Sequence, residues 1–162
     1  MNVAIAEEVL NHIHNWFVRE SSVFSDFDIE DGALPEEIAQ YTSKASFYRI
    51  SGTYLNDGLH EAIQPSGGLS EASENTDLKD EHVDNATVSL LVIPKSLLLL
   101  IDEIGEWEDK YGEVAKAPFF SESFGGYQYE IRGYSSYGAA TSSASGWRLA
   151  FANRLNPWRK MY

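Results

Sequence analysis

Between Lys95 and Tyr111 the apolar residues Leu97, Leu100, Ile101, Ile104, Trp107 and Tyr111 recur at helical spacing, with acids at positions 102, 103, 106, 108 and 109. This pattern predicts an amphipathic helix, the strongest in the chain. Leu98 and Leu99 widen its apolar stripe beyond one face over the first two turns, so burial against more than one neighbour is expected. Pro94 suits the first turn, where a missing N–H forfeits no intrahelical bond, and Gly112 suits the stop. Such a helix needs a real core around it. A chain of 162 residues, 43% of them hydrophobic, can supply one such core but not two comfortable ones.

The other elements are shorter. Ile5, Val9, Ile13 and Trp16 fall at three- and four-residue steps and predict a helix over residues 3–18. From Val23 to Ile29 the helical period is lost, and Asp31-Gly32 followed by Pro35 supplies turn chemistry, so a short strand runs into a loop; residues 36–41 fit one helical turn. The stretch SFYRISGTYLNDGLHEAI is rich in aromatic and β-branched residues and carries Asn56-Asp57-Gly58. Asp-Gly favours the positive φ angles of a tight hairpin, which predicts strands at 46–55 and 59–63. Gln64–Asn85 holds Pro65, Gly67-Gly68 and many acids against one lysine, and reads as a mobile surface loop with a helix starting near Leu78. Residues 86–93, ATVSLLVI, fit either a buried strand or the end of a short helix. Further on, a strand is expected at Tyr127–Arg132 and a linker at Ala139–Gly146. Trp147, Phe151, Leu155 and Trp158 then form a short amphipathic helix that Pro157 ends or distorts. The expected fold is α+β and mainly helical: a small helical bundle with a β-hairpin or small antiparallel sheet and an extended C-terminal arm. Residues 1–118 make the body, with the hairpin at 46–63 and the acidic loop at 64–85, and residues 119–162 make the Gly/Ser/Tyr-rich segment and arm.

Charge divides the chain in the same way. The formal net charge is -13; residues 127–162 carry Arg132, Arg148, Arg154, Arg159 and Lys160 against Glu130 alone, a net of +4, which leaves -17 for residues 1–126. An acidic body opposes any affinity that comes from neutralising phosphates. A basic aromatic arm on it should find a neighbouring copy or another acidic partner, or else pack on its own core.

Motifs for chemistry are lacking. There is no cysteine, so thiol nucleophiles, disulfides and thiolate metal sites are excluded. His12 and His14, two residues apart, point to different sides of a helix and make no metal pair. His60 and His82 are isolated in sequence, in a strand and in the acidic loop. There is no nucleophile elbow, phosphate loop or dinucleotide fingerprint. No enzyme, metal or cofactor is expected. The N-terminal MNVAIAEEVL has glutamates where a secretion signal needs basic residues, and no apolar run approaches the ~20 residues of a membrane span, so a soluble intracellular protein is expected.

Four blocks carry a resemblance: FYRISGTYLNDGLHEA at 47–62, VIPKSLLLLIDEIGEWEDKYG at 92–112, SESFGGYQYE at 121–130 and RLNPWRKMY at 154–162. In this order they resemble the head–tail connector, or head-completion adaptor, proteins of tailed bacteriophages. The most specific part is Ser121-Glu122-Ser123-Phe124-Gly125-Gly126-Tyr127 combined with the terminal Arg-Leu-Asn-x-Trp-Arg-Lys. The resemblance implies a non-enzymatic structural protein of the virion neck, made in the bacterial host cytoplasm. It implies a homo-oligomeric ring, commonly of twelve copies, that sits on the portal protein, extends the DNA channel and meets a tail or stopper protein, with DNA passing through unread and no membrane involved. On that reading the arm residues Trp147, Arg148, Phe151, Arg154, Leu155, Trp158 and Arg159 bind the portal or a neighbour. Tyr54, Leu55, Asn56, Asp57 and Gly58 form an inter-subunit hairpin tip, and Leu98 and Leu99 an inter-subunit helix face. The alternative is an acidic DNA mimic that inhibits a nucleic-acid-binding partner through the same -17 body. A weaker option is a hydrolase acting through an acidic pair such as Glu103 and Glu106.

Overall fold

The computed structural model describes residues 1–62, 78–116, 121–124, 127–130 and 146–160. The first helix, α1 (Val3–His12), starts at Asn2, whose side chain accepts hydrogen bonds from the Ala4 and Ile5 N–H groups. It stops four residues before Trp16 because His14 and Phe17 both take left-handed backbone angles, φ 52° and 51°. The sequence pattern runs on to residue 18, but the chain has already turned into strand β1 (Val18–Ile29).

A four-stranded antiparallel sheet forms the middle of the fold, so the mainly helical expectation is corrected to a balanced α+β structure. Its other strands are β2 (Phe47–Ser51), β3 (Gly58–Glu61) and β4 (Glu81–Leu91), in the order β1-β4-β2-β3. The short helix α2 (Glu36–Thr42) connects β1 to β2, after a tight turn with Asp31 at φ 52° and Gly32 at φ 71°. β4 lies between β1 and β2 and accounts for the apolar run at 86–93, because its alternate residues face two separate cores. The acidic-loop expectation therefore fails over 81–85, which are strand, and Leu78 enters that strand buried instead of opening a helix. Residues 63–77 of that loop lie outside the described residues.

One core forms where α2, through Ile38 and Tyr41, packs with Phe27, Ile29, Tyr48, Ile50, Leu78, Val88 and Leu90. The other face of the sheet offers Phe47, Leu59 and Leu91 to a helical layer. That layer contains α1 and α3 (Lys95–Lys116), which bury Ala6, Val9, Leu10, Leu97, Leu100, Ile101 and Ile104. Pro94 stands at the N-cap of α3, its carbonyl accepting from Leu98, and the helix runs through Gly112 instead of stopping there.

The C-terminal segment completes the layer. Helices α4 (Trp147–Ala150) and α5 (Ala152–Leu155) and a 3-10 turn (Asn156–Trp158) replace the single expected helix, and Pro157 falls within the final turn. Trp147, Phe151 and Leu155 are buried in the core with α1 and α3, so the segment is docked, not an extended arm. Over most of its stripe α3 thus meets more than one neighbour within its own chain, Leu99 remaining exposed. Strands β5 (Ser121–Phe124) and β6 (Tyr127–Glu130) pair as a hairpin; Arg132 and the linker at 139–145 lie outside the described residues.

Because Leu155 is fully buried, Leu155→Ala should lower unfolding free energy by about 2–5 kcal/mol in urea titration. Truncation after Gly146 should leave a body with a molten or unfolded helical layer, seen as lost near-ultraviolet circular dichroism, and not an intact folded body.

Candidate assembly surface

The connection from β2 to β3 is a six-residue loop, not the two-residue turn that Asp57-Gly58 suggests. β2 ends at Ser51 because Gly52 takes φ +99° while lying over β4, where an added Cβ would come 3.1 Å from the Asn85 carbonyl oxygen. Asp57 then folds the loop back on itself by accepting from the Thr53 N–H at 2.7 Å and the Thr53 hydroxyl at 3.0 Å. Gly58, at φ +139°, passes directly beneath the Glu7 carboxylate of α1.

The start of β4 holds this loop from below. The Glu81 carboxylate accepts from the Tyr54 N–H at 3.1 Å, from the Leu55 N–H at 3.2 Å and from the Asn56 side chain. Asn56 is only 2% exposed; its amide donates to the Lys79 carbonyl at 2.8 Å and its oxygen accepts from the Lys79 N–H at 2.7 Å. The Asn56 carbonyl meets His60 Nε2 at 2.9 Å, and His60 stacks on Tyr48 of the core beside α2. With its polar groups tied inward, the loop leaves Tyr54 91% exposed and Leu55 46% exposed. Fixed backbone and exposed apolar side chains together make a preformed contact point.

Of the expected hairpin tip, then, Tyr54 and Leu55 face solvent while Asn56, Asp57 and Gly58 build the loop. On α3 the two leucines separate: Leu98 is half-buried against the chain's own core, whereas Leu99 is 56% exposed. Val23, Val92 and Leu149 are also exposed. The arm residues are engaged within their own chain. Arg154 makes a two-point bond to Glu103 of α3, at 2.6 and 3.0 Å, which holds the Glu103 carboxyl below its ordinary pKa and raises that of Arg154. Arg148 reaches Glu8 at 3.4 Å and lies over the Trp147 ring. Arg159 donates to His12 Nε2 at 2.7 Å; burial first, then Arg159 and Arg148, pushes the His12 pKa down. The Trp158 carbonyl accepts from Asn15, and the Lys160 N–H donates to the Ile13 carbonyl.

His82, isolated in sequence, is not isolated in space. It lies on β4 with Nδ1 2.7 Å from Asp28 of β1, and Asp84 and Asp26 lie within 4 Å of Nε2. The Asp28 hydrogen bond, with the three carboxylate charges, raises the His82 pKa above 6.5. The alternation of β1 and β4 could not reveal this group, because pairing of Asp28 with His82 depends on strand register. Among the described residues, no cluster of histidines and carboxylates is arranged to hold a metal ion, and no helix is long and apolar enough to cross a membrane.

Comparison with protein families, curated proteins and solved structures returns no match.

Two outcomes test this geometry. Asn56→Ala, which removes an almost fully buried amide with its bonds to the Lys79 backbone and to Glu81, should destabilise the protein by about 1–3 kcal/mol in urea, while Tyr54→Ser should stay within about 0.5 kcal/mol of wild type. A raised histidine pKa stabilises the fold fully below the unfolded value of 6.5 and fades as pH rises through the folded value. Wild type should therefore melt above the His82→Asn variant at about pH 5.5, with the difference vanishing by about pH 8.5.

Proposed function

We propose that this protein is a structural component of a tailed-phage virion, a head–tail connector that joins identical copies into a ring on the portal and acts through surfaces, not through catalysis. The observation that supports it best is the braced loop presenting Tyr54 and Leu55 to solvent. Exposed apolar side chains on a preorganised support are what an association surface needs, since rigid anchors lose little entropy on binding. The four sequence blocks from 47 to 162 supply the phage context by resemblance.

On this reading the ring, commonly of twelve copies, extends the DNA channel and offers its far side to a tail or stopper protein. The protein is made in the host cytoplasm and ends in the virion neck. The acidic body suits a conduit wall, because a negative surface releases no counterions from DNA and so does not retain it. The tail region contributes to assembly indirectly, by completing the helical layer on which the subunit's shape depends, and Leu149 is its exposed apolar residue.

Sedimentation of the chain mixed with its portal protein tests the reading. Wild type should give a portal-bound ring, and the double variant Tyr54→Ser/Leu55→Ser should fold normally and bind at least ~10-fold more weakly, as loss of interface anchors implies. Binding to a DNA-binding protein in place of the portal would support the DNA-mimic alternative; unchanged ring formation by the double variant would remove the loop from the interface.

A further inference from the structure

Arg49 lies in the middle of β2, on the sheet face that also carries the helical layer, with Leu59 of β3 and Ser89 of β4 beside it. The same row continues to Ser21 of β1, whose hydroxyl is 2.8 Å from that of Ser89. The helical layer covers this face over Phe47, Leu59 and Leu91, and ends near Trp16. Beyond that boundary the face carries Ser51 and Thr87, half-buried, and Val23, exposed.

At the boundary the Arg49 guanidinium lies over the Trp16 ring, 4.1 Å from its centroid. Nε is shut off from solvent without a hydrogen-bond partner, and among the described residues no acceptor bonds the terminal nitrogens. The chain has twenty-five acidic side chains against twelve basic ones, yet no described carboxylate of its own bonds Arg49. The arginines of the C-terminal segment each have an acceptor, Glu8, Glu103 or His12. Stacking on an indole fixes the guanidinium plane, so its free N–H fork is ready for a two-point bond to a carboxylate. The Ser21 and Ser89 hydroxyls lie in the same row as further donors.

We propose that Arg49 and Trp16 form a receptor for a carboxylate side chain of a second copy of this chain; the proposal rests on the ring reading above. Copies that each carry -13 repel one another, so a close contact between them needs a cation that its own subunit leaves unpaired. Arg49 is such a cation, and arginine and tryptophan are both enriched among the residues that dominate interface energies. A nucleic-acid phosphate is disfavoured as the occupant because the residues from 1 to 126 carry a net -17.

The test uses the assembled full-length protein. Arg49→Gln should weaken ring formation in sedimentation velocity by at least ~10-fold, with circular dichroism and melting close to wild type, because it strips the charge from a desolvated pair. Arg49→Lys should retain the ring at reduced affinity and place an amine in the receptor. Carbodiimide treatment of that ring should then give an intermolecular amide cross-link from position 49, and peptide mass spectrometry would identify the carboxylate. A normal ring from Arg49→Gln, or an Arg49→Lys ring without that cross-link, overturns the proposal and leaves the ring reading standing. A wild-type chain that stays monomeric with and without portal overturns both. Retention of duplex DNA by wild type but not by Arg49→Gln would assign the guanidinium to phosphate and also overturn it.

Discussion

Docking of residues 147–160 against α1 and α3 is the contact on which the rest of the subunit depends. Trp147 meets His12 edge-on, Phe151 meets Trp107 the same way, and Leu155 is wholly buried in the core that includes residues of α1 and α3. Without these three side chains one face of the sheet would be covered by two helices with an open seam. The bonds around them follow from that burial: Arg154 to Glu103, Arg148 to Glu8 and the Lys160 N–H to the Ile13 carbonyl are placed where the apolar side chains bring the backbone. Exposed ion pairs are individually weak, so the docking is held by the core and oriented by the charges.

This explains how the charge division in the sequence is used. A basic tail on an acidic body suggests an arm seeking another molecule, but the body supplying the opposite charge is the tail's own. Acidic surface remains in excess after that neutralisation, and the exposed apolar side chains lie elsewhere: on the loop with Tyr54 and Leu55, at Leu99 and Leu149, and at Val23 on β1. β1 is an edge strand of twelve residues, and its exposed side is interrupted by a register shift near Arg19 and by Asp26 at φ 54°. Irregularities and charges of this kind discourage open-ended strand pairing at an uncovered sheet edge.

The sequence made the strong periodic elements legible and little of how they meet. The helix from Lys95, the pair of strands around Asn56-Gly58, the turn at Asp31-Gly32 and the helical character of residues 147–158 all follow from local pattern. Of the twelve-residue β1 only Val23–Ile29 was legible, because its first half is exposed on both faces, which removes the alternation that marks a strand. Trp16 continued the helical spacing of α1 although two left-handed residues had already turned the chain. Of the assembly surface, Tyr54 and Leu55 could be named from the turn residues beside them, but the part played by Glu81 could not. Its carboxylate acts across 26 and 27 positions, and only strand pairing brings it under the loop.

The support under that loop bears directly on what the subunit can do. A flexible tip would have to be ordered on contact with any partner, at about 0.5–1.5 kcal/mol for every immobilised side chain. Here Asn56, Asp57 and Glu81 have ordered the backbone during folding, using bonds that also fasten the start of β4 to the β2–β3 connection. The Arg49 guanidinium, held flat by Trp16, follows the same logic with charge in place of apolar area. On the proposed ring reading, contacts fixed in advance would let a modest attractive surface overcome the repulsion between acidic copies, in a single orientation.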